Sequence, residues 1–383
     1  MEFDFLEPVD TEILELVQGL TSQQLGSKVV FHTKNQFPDL NKINIAVIGV
    51  LENRGGGKAT ENVDLSAIRK ELYTMFPGNW DASIADLGDI LAGNSIEDSY
   101  FALRKVVSNL IKKKIVPIVI GGSQDLTFAL YRAFDELEQM VNLVSVDSKF
   151  DFGKENDEMS ASSYLTKIII DEPNNLFNYC NIGYQTYYNS QEEIDLVEKL
   201  FFDSYRLGEI SNNIALAEPV FRDADVVSLD LNSVKSSDSG NFNSFTPNGF
   251  NGKEICSLSR YAGISDKVSI FGLFNHNNSA QESVLIAQII WYFIEGFHYR
   301  SNEYPFGSRE NYIKYIVPLE DEVLVFYKSD KTDRWWIEIP FISNGNNKLK
   351  RNTLLPCSYD EYLNACNQEL PERWWKAQRK NNI

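Results

Sequence analysis

Residues 144–153 read VSVDSKFDFG, an apolar run that empties into a lysine, Lys149, standing between two aspartates, Asp147 and Asp151. Carboxylates leaving the end of an apolar strand commonly hold a cation, and here a built-in ammonium already stands between them. Similar polar clusters close other apolar runs: GGSQD (121–125) with Gln124, SLDLN (228–232) with Asp230 and Asn232, and GLFNHNN (272–278) with Asn275 and His276. Oxygen-rich sets of this kind suit hard cations. Imidazole is scarce, since the only histidines are His32, His276 and His298, and only His276 falls in one of these clusters. No Ser-His-Asp or Cys-His arrangement can be assembled from so few. The stretch NRGGGKAT (53–60) fails as a phosphate loop: Glu52 stands where the first glycine belongs, and Ala59 follows Lys58. It reads instead as a flexible loop over the strand ends.

Such clusters need strands to present them. INIAVIGV (43–50), SIADLGDI (83–90), IVPIVIGG (115–122), NLVSVD (142–147), CNIGYQ (180–185), DVVSLDLN (225–232) and KVSIFGLF (267–274) are short apolar runs. Between them lie amphipathic stretches such as DLSAIRKELYTMF, with Asp64 placed as its N-cap, and EDSYFALRKVVSNLIKKK (97–114). Near-continuous Val/Ile/Leu runs separated by helices predict an α/β fold with a three-layer, doubly wound, mostly parallel sheet. Ligands of such sheets bind beyond the carboxyl ends of the strands, where the polar clusters stand. The division expected is an N-terminal helical extension (1–42, with TEILELVQGL), an α/β domain (43–303) and an aromatic-rich C-terminal appendage (304–383). In the appendage, EVLVFYKSDKTDRWWIEIPF predicts a β-hairpin turning at 328–334, followed by a capped helix and a basic tail. Trp335, Trp336, Trp374 and Trp375 either anchor this appendage to the core or offer a partner an aromatic patch.

Over 383 residues, 43% hydrophobic content allows a large core, and a formal charge of −18 repels phosphate backbones and anionic membranes. Nucleic acid is excluded as a partner on this ground. SVLIAQIIWYFIEGF (283–297) is too short for a bilayer and carries Glu295, so it reads as a core helix and no membrane insertion is expected. The four cysteines show no C-x-x-C spacing, and the acidic MEFDFLEPVD start is unlike a signal peptide; both point to a reduced, cytoplasmic protein.

The strand-end clusters, in this order and at these intervals over about residues 43–300, resemble the ureohydrolase superfamily of arginase, agmatinase and formimidoylglutamase. That family carries G-G-D-H, D-A-H-x-D, S-x-D-x-D and a glutamate in an E-x-N-P-like segment at successive strand ends. The resemblance implies two divalent ions, usually manganese, bridged by carboxylates and holding a hydroxide that attacks a guanidinium or formimino carbon. It also implies a trimer or hexamer. In the mapping, Asp147, Asp151 and Asp230 are kept, whereas Ser123 replaces an aspartate, Gln124 and Lys149 replace the histidines, Asn232 replaces an aspartate and Asn275 replaces the glutamate. A protonated lysine has no lone pair, and amide oxygens are weak ligands for manganese. Three arrangements stay open: Lys149 as a built-in cation between Asp147, Asp151 and Asp230, with help from Lys154 or an arginine; a solvated polar rim; or a single-metal site on the three aspartates. The function expected is that of a pseudoenzyme which binds, scaffolds or regulates, with a protein partner or a homo-oligomer and no cofactor. The alternative is a metal-dependent hydrolase of a linear amidine, with manganese, on an atypical site.

Overall fold

Alternate residues of a strand point to opposite faces, so a strand covered on both sides is apolar throughout. The computed structural model describes residues 3–57, 64–137, 139–154, 158–242, 244–303, 305, 309–320, 322–339 and 354–381. Nine strands form one sheet: β1 (Val30–Phe31), β2 (Ile45–Val50), β3 (Ile84–Ile90), β4 (Val116–Gly121), β5 (Val141–Val146), β6 (Leu176–Tyr184), β7 (Asp203–Arg206), β8 (Val226–Asp230) and β9 (Ile270–Phe274). Their order is β1-β3-β2-β4-β9-β8-β5-β6-β7, and every neighbouring pair is parallel. Ile45 and Val47 of β2 join one core layer, with the helices Ser66–Thr74, Gly252–Ile264 and Ala280–His298. Ala46, Ile48 and Val50 join the other, under the helices Ile96–Lys112, Leu126–Arg132 and Tyr164–Ile170. The doubly wound, three-layer expectation therefore holds. This order sets the carboxyl ends of β4, β9, β8 and β5 side by side, which brings the four polar clusters together from distant parts of the sequence.

Local signals set the helix starts. Ser95 and Asn251 each accept the N3 backbone N–H while the N3 carboxylate returns a bond to the cap, as in a capping box. Asp64 accepts the Ser66 N–H at 2.9 Å, one residue before the assigned cap. Ala280–His298 is the core helix expected of 283–297, and among the described residues no helix is long and apolar enough to cross a membrane.

The chain ends differ from the sequence reading. Besides the expected helix Thr11–Gln18, the first segment adds β1 to the sheet edge and a bridge from Glu7 to Asp89; a two-residue strand is too short to show a period. Gly88, with φ +83°, is required there, because a Cβ would lie 1.9 Å from the Glu7 carbonyl oxygen. At the other end stands a four-stranded antiparallel sheet rather than a single hairpin: β10 (Tyr312–Pro318), β11 (Val323–Ser329), β12 (Trp335–Glu338) and β13 (Leu354–Cys357). The hairpin of β11 and β12 is where it was expected, but β10 and β13 extend it, and the basic tail forms the helix Glu372–Asn381. Residue 304, the expected start of the appendage, lies outside the described residues.

Burial decides the role of the tryptophans. Trp336 and Trp374 are 0% and 1% exposed, Trp335 stacks on Tyr362 at 4.6 Å, and Trp375 meets the Phe201 ring at 5.6 Å. They bind the appendage to itself and to the core. Arg222, from the helix Ala217–Asp223, is the polar counterpart. It lies 4.7 Å from the Trp336 ring centre and donates to the carbonyls of Trp335 (3.0 Å) and Cys357 (2.9 Å), joining β12 and β13 to the core. Arg222→Ala removes a buried charge from its carbonyl and carboxylate partners, and a loss of about 3 kcal/mol is expected. Hydrogen exchange on the variant should rise first in 323–338 and 354–357; unchanged exchange there would show that Arg222 is not the tie.

Candidate functional site

Asp147 and Asp230 end β5 and β8 in the same way. Each aspartate turns back to accept a backbone N–H two residues on, Asp147 Oδ1 from Lys149 at 2.9 Å and Asp230 Oδ1 from Asn232 at 2.8 Å. This local turn is the reason for Asp at the strand exit, and it leaves the second oxygen of each free to face the cluster. Asp151 follows in a left-handed conformation, φ +56°, which returns its carboxyl toward the other two.

The amides fill the space beside them. After β4, Gly122 must be glycine, since a Cβ would lie 2.1 Å from the Glu52 carbonyl oxygen. Gln124 Nε2 donates to Tyr164 Oη at 3.2 Å and to Ser145 Oγ at 3.4 Å, and the Gln124 backbone N–H donates to Asn275 Oδ1 at 3.2 Å. Asn275, also left-handed at φ +60°, returns an Nδ2 bond to Gln124 Oε1 at 3.4 Å and hydrogen-bonds Asp230. Tyr164 and Ser145 were missed by sequence reasoning. Ser145 sits inside an apolar strand and Tyr164 opens a helix after a run of serines, and in neither place does a hydroxyl carry a spacing signal.

Lys149 departs from its expected position. Its side chain is exposed, with Nζ 5.8 Å from the Tyr188 ring centre, and it forms no ion pair with Asp147, Asp151 or Asp230. An ammonium entering the carboxyl cluster would surrender its hydration; at the rim it keeps water and an aromatic face. The built-in cation is thus absent from its seat, and so is a solvated rim: Asp147, Asp151 and Asp230 are 1%, 8% and 6% exposed. His276 lies buried in the wall.

Burial raises all three carboxyl groups. Desolvation is the first cause in each, and a neighbouring carboxylate the second. Asp151 is pushed up to about 7, beside the charge of Asp230. Asp147 and Asp230 stand well above the usual carboxylate range, beside Asp151 and Asp147 respectively. Asp147 hydrogen-bonds the neighbouring Asp151 carboxyl and the Gln124 amide.

Asp151, Asp230, Asn232 and Asn275 open on a cavity of about 1320 Å³, with Tyr188 and Phe245 at its sides. Part of its lip is the 53–57 loop, which is held rather than free. Arg54 pairs with Glu52 through Nε (2.9 Å) and Nη2 (2.5 Å) and donates to the Gly93, Asn94 and Ser95 carbonyls. Lys58 to Thr60 of the expected loop lie outside the described residues.

A two-manganese cluster does not fit these donors. No imidazole stands at 124 or 149, the Gln124 amide is committed to Tyr164, Ser145, Asn275 and Asp147, and Lys149 lies on the cavity wall with its Nζ toward Tyr188. Among the described residues no group of three or more His, Cys, Asp and Glu side chains is arranged to hold a metal ion.

Comparison with known proteins gives the setting. The arginase family model matches residues 44–273. A formimidoylglutamase of Geobacillus thermodenitrificans is 28% identical over 166 residues, covering 42% of this chain and 48% of that one. One of Lysinibacillus sphaericus is 24% identical over 189 residues, covering 47% and 58%. The alignments thus span about half the length of these curated relatives. A Trypanosoma cruzi formiminoglutamase solved with Mn2+ superposes with a TM-score of 0.62 at 18% identity, over 69% of this chain and 97% of that chain. The Bacillus subtilis formimidoylglutamase structure gives 0.59 at 17% identity, over 68% and 88%. At such identities the structures speak for the fold alone.

The raised carboxyl of Asp151 has a signed consequence. Below the ordinary Asp value, about 3.9, it is protonated in folded and unfolded chains alike and its contribution to stability is fully present. That contribution is lost as pH rises from there through about 7, because the unfolded chain ionises freely over this range while the buried group in the folded chain keeps its proton. Asn suits the left-handed backbone and carries no charge. Asp151→Asn should therefore raise the melting temperature at about pH 8 and flatten the decline between about pH 4 and 7, by up to about 4 kcal/mol. Differential scanning fluorimetry across pH reads this. A lower melting temperature at about pH 8 would show that a cation compensates Asp151.

Proposed function

The chain belongs to the arginase family, and from that premise we propose that it acts as a binding, scaffolding or regulatory protein rather than as a two-manganese hydrolase. The observation that carries this reading is the donor set: Gln124 and a Lys149 that forms no ion pair with the aspartates occupy the two positions where the family motifs have histidine. Asn275, in place of the family glutamate, supports it further, since a neutral amide cannot form a bidentate ion pair with a guanidinium. The cavity would then hold a ligand without an attacking hydroxide. A protein partner or a second copy of the chain belongs to the proposal. So does a reducing, cytoplasmic setting, which the free cysteines Cys180, Cys256, Cys357 and Cys366 support.

A second reading has its own support. The matched relatives are named formimidoylglutamases, which favours a metal-dependent hydrolase of a linear amidine, with manganese held by Asp147, Asp151 and Asp230. The two readings part on one experiment. The purified chain, incubated with excess MnCl2 and desalted, is expected to retain well under one equivalent of manganese by elemental analysis. It is also expected to release no formamide, ammonia or urea from formimidoylglutamate, agmatine or arginine. Stoichiometric manganese that disappears in Asp147→Ala, together with turnover of any of these substrates, would establish the hydrolase instead.

A further inference from the structure

The cavity carries aromatic rings that the fold holds firmly and yet leaves open to water. Tyr188 and Phe245 line it while 43% and 64% exposed. Tyr188 ends the short turn Thr186–Tyr188, and Asn189 rivets that turn to the segment leaving β5. Its Nδ2 donates to the Ser148 and Gln185 carbonyls at 3.0 and 2.9 Å, and its Oδ1 accepts the Phe150 N–H at 2.9 Å. Phe245 stands between two anchored neighbours. The Ser244 N–H donates to Asn241 Oδ1 at 3.1 Å; the Thr246 N–H donates to Ser236 Oγ at 2.7 Å, and its carbonyl accepts the Ser236 N–H at 2.8 Å. Apolar faces fixed in place and left in water are ready for a ligand, because little further ordering is needed when one lands on them. We propose that this cavity binds a neutral oligosaccharide, with the C–H faces of its sugar rings on Tyr188 and Phe245 and its hydroxyls on the amide and hydroxyl side chains of the wall. The proposal rests on the reading of the chain as a binding protein without a metal-held hydroxide.

The ligand class follows from what the wall offers beside the rings. A sugar ring is apolar on its faces and fringed by hydroxyls, each of them both donor and acceptor. Aromatic faces meet the first requirement, and side chains that carry donor and acceptor together meet the second. Asn53, Asn232 and Asn241 supply amides of that kind, with Ser148, Ser160 and Thr246 as hydroxyls. Lys149, whose Nζ lies 5.8 Å from the Tyr188 ring centre, is placed to donate to a hydroxyl of a ring lying there. Charge does not select the ligand. Besides Asp151 and Asp230 the lining mixes Arg54, Lys149 and Lys167 with Glu97, Glu158 and Asp171, and the formal charge of −18 opposes a polyanion. Size favours a chain of rings. The cavity of about 1320 Å³ exceeds the roughly 300–1,000 Å³ of a site for one small molecule, which is more than a single sugar or nucleobase fills.

Isothermal titration of the full chain in EDTA tests the proposal with maltotetraose, cellotetraose, xylotetraose and mannotetraose. At least one of them is expected to bind at a single site with a Kd of about 1 mM or tighter, weakened at least about tenfold in Phe245→Ala and in Tyr188→Ala. Asn232→Ala should weaken the same sugar, and tetragalacturonate, its anionic counterpart, should not bind. Both rings are exposed, so melting curves like the parent's are expected of their variants. Binding of none of the four sugars, or equal affinity in the parent and in the folded ring variants, would overturn the inference. Adenosine or the neutral peptide Gly-Ser-Phe-Ser-Gly bound more tightly than every sugar would overturn the ligand class. Failure of the sugars in EDTA, with manganese still not retained, would leave the proposed function standing. Stoichiometric manganese with turnover of an amidine would overturn both.

Discussion

Charge neutrality at the floor of the cavity is the constraint on which the site depends. Asp230, at the end of β8, and Asp151, from the turn that follows β5, line it, Asp147 at the end of β5 stands buried beside them, and burial disfavours ionising all three together. The chain answers with uncharged neighbours. Gln124 and Asn275 hydrogen-bond each other, and Asn275 also reaches Asp230, so the amides satisfy themselves and solvate one carboxyl. This uncharged setting also explains why desolvation leads among the causes that raise the three groups.

The scaffold beneath it depends little on that chemistry. Alternating contacts from β2 and its neighbours fill two separate core layers, and the strand-exit aspartates close their own backbone turns whether or not they hold an ion. A fold of this kind can therefore keep its geometry while its ligand set changes. Family membership and loss of the histidine ligands are compatible for that physical reason, since apolar packing and ligand chemistry are carried by different residues.

Much of this was legible in the sequence because it is periodic. Buried parallel strands announce themselves as apolar runs, and the order of their polar exits was enough to bring Gln124, Asp147, Asp230 and Asn275 into one place. What was not legible was direction. The position of Lys149 between Asp147 and Asp151 suggested an internal ion pair, but four methylene groups allow its ammonium to leave, and the choice between carboxylates and the Tyr188 face is a matter of solvation rather than spacing. The hydroxyls of Tyr164 and Ser145, which hold Gln124, carry no motif spacing that marks them. At the C-terminal end the hairpin was readable, whereas β10 and β13 join it only through tertiary pairing, and the buried Arg222 that ties β12 and β13 to the core lies about 100 residues upstream.

The proposed function turns on whether these carboxyls hold divalent ions. Crystals grown in excess MnCl2 and measured at the manganese absorption edge address it most directly. The account predicts no anomalous peak among Asp147, Asp151 and Asp230, with Lys149 still lying along Tyr188. Two strong peaks coordinated by those aspartates would contradict it.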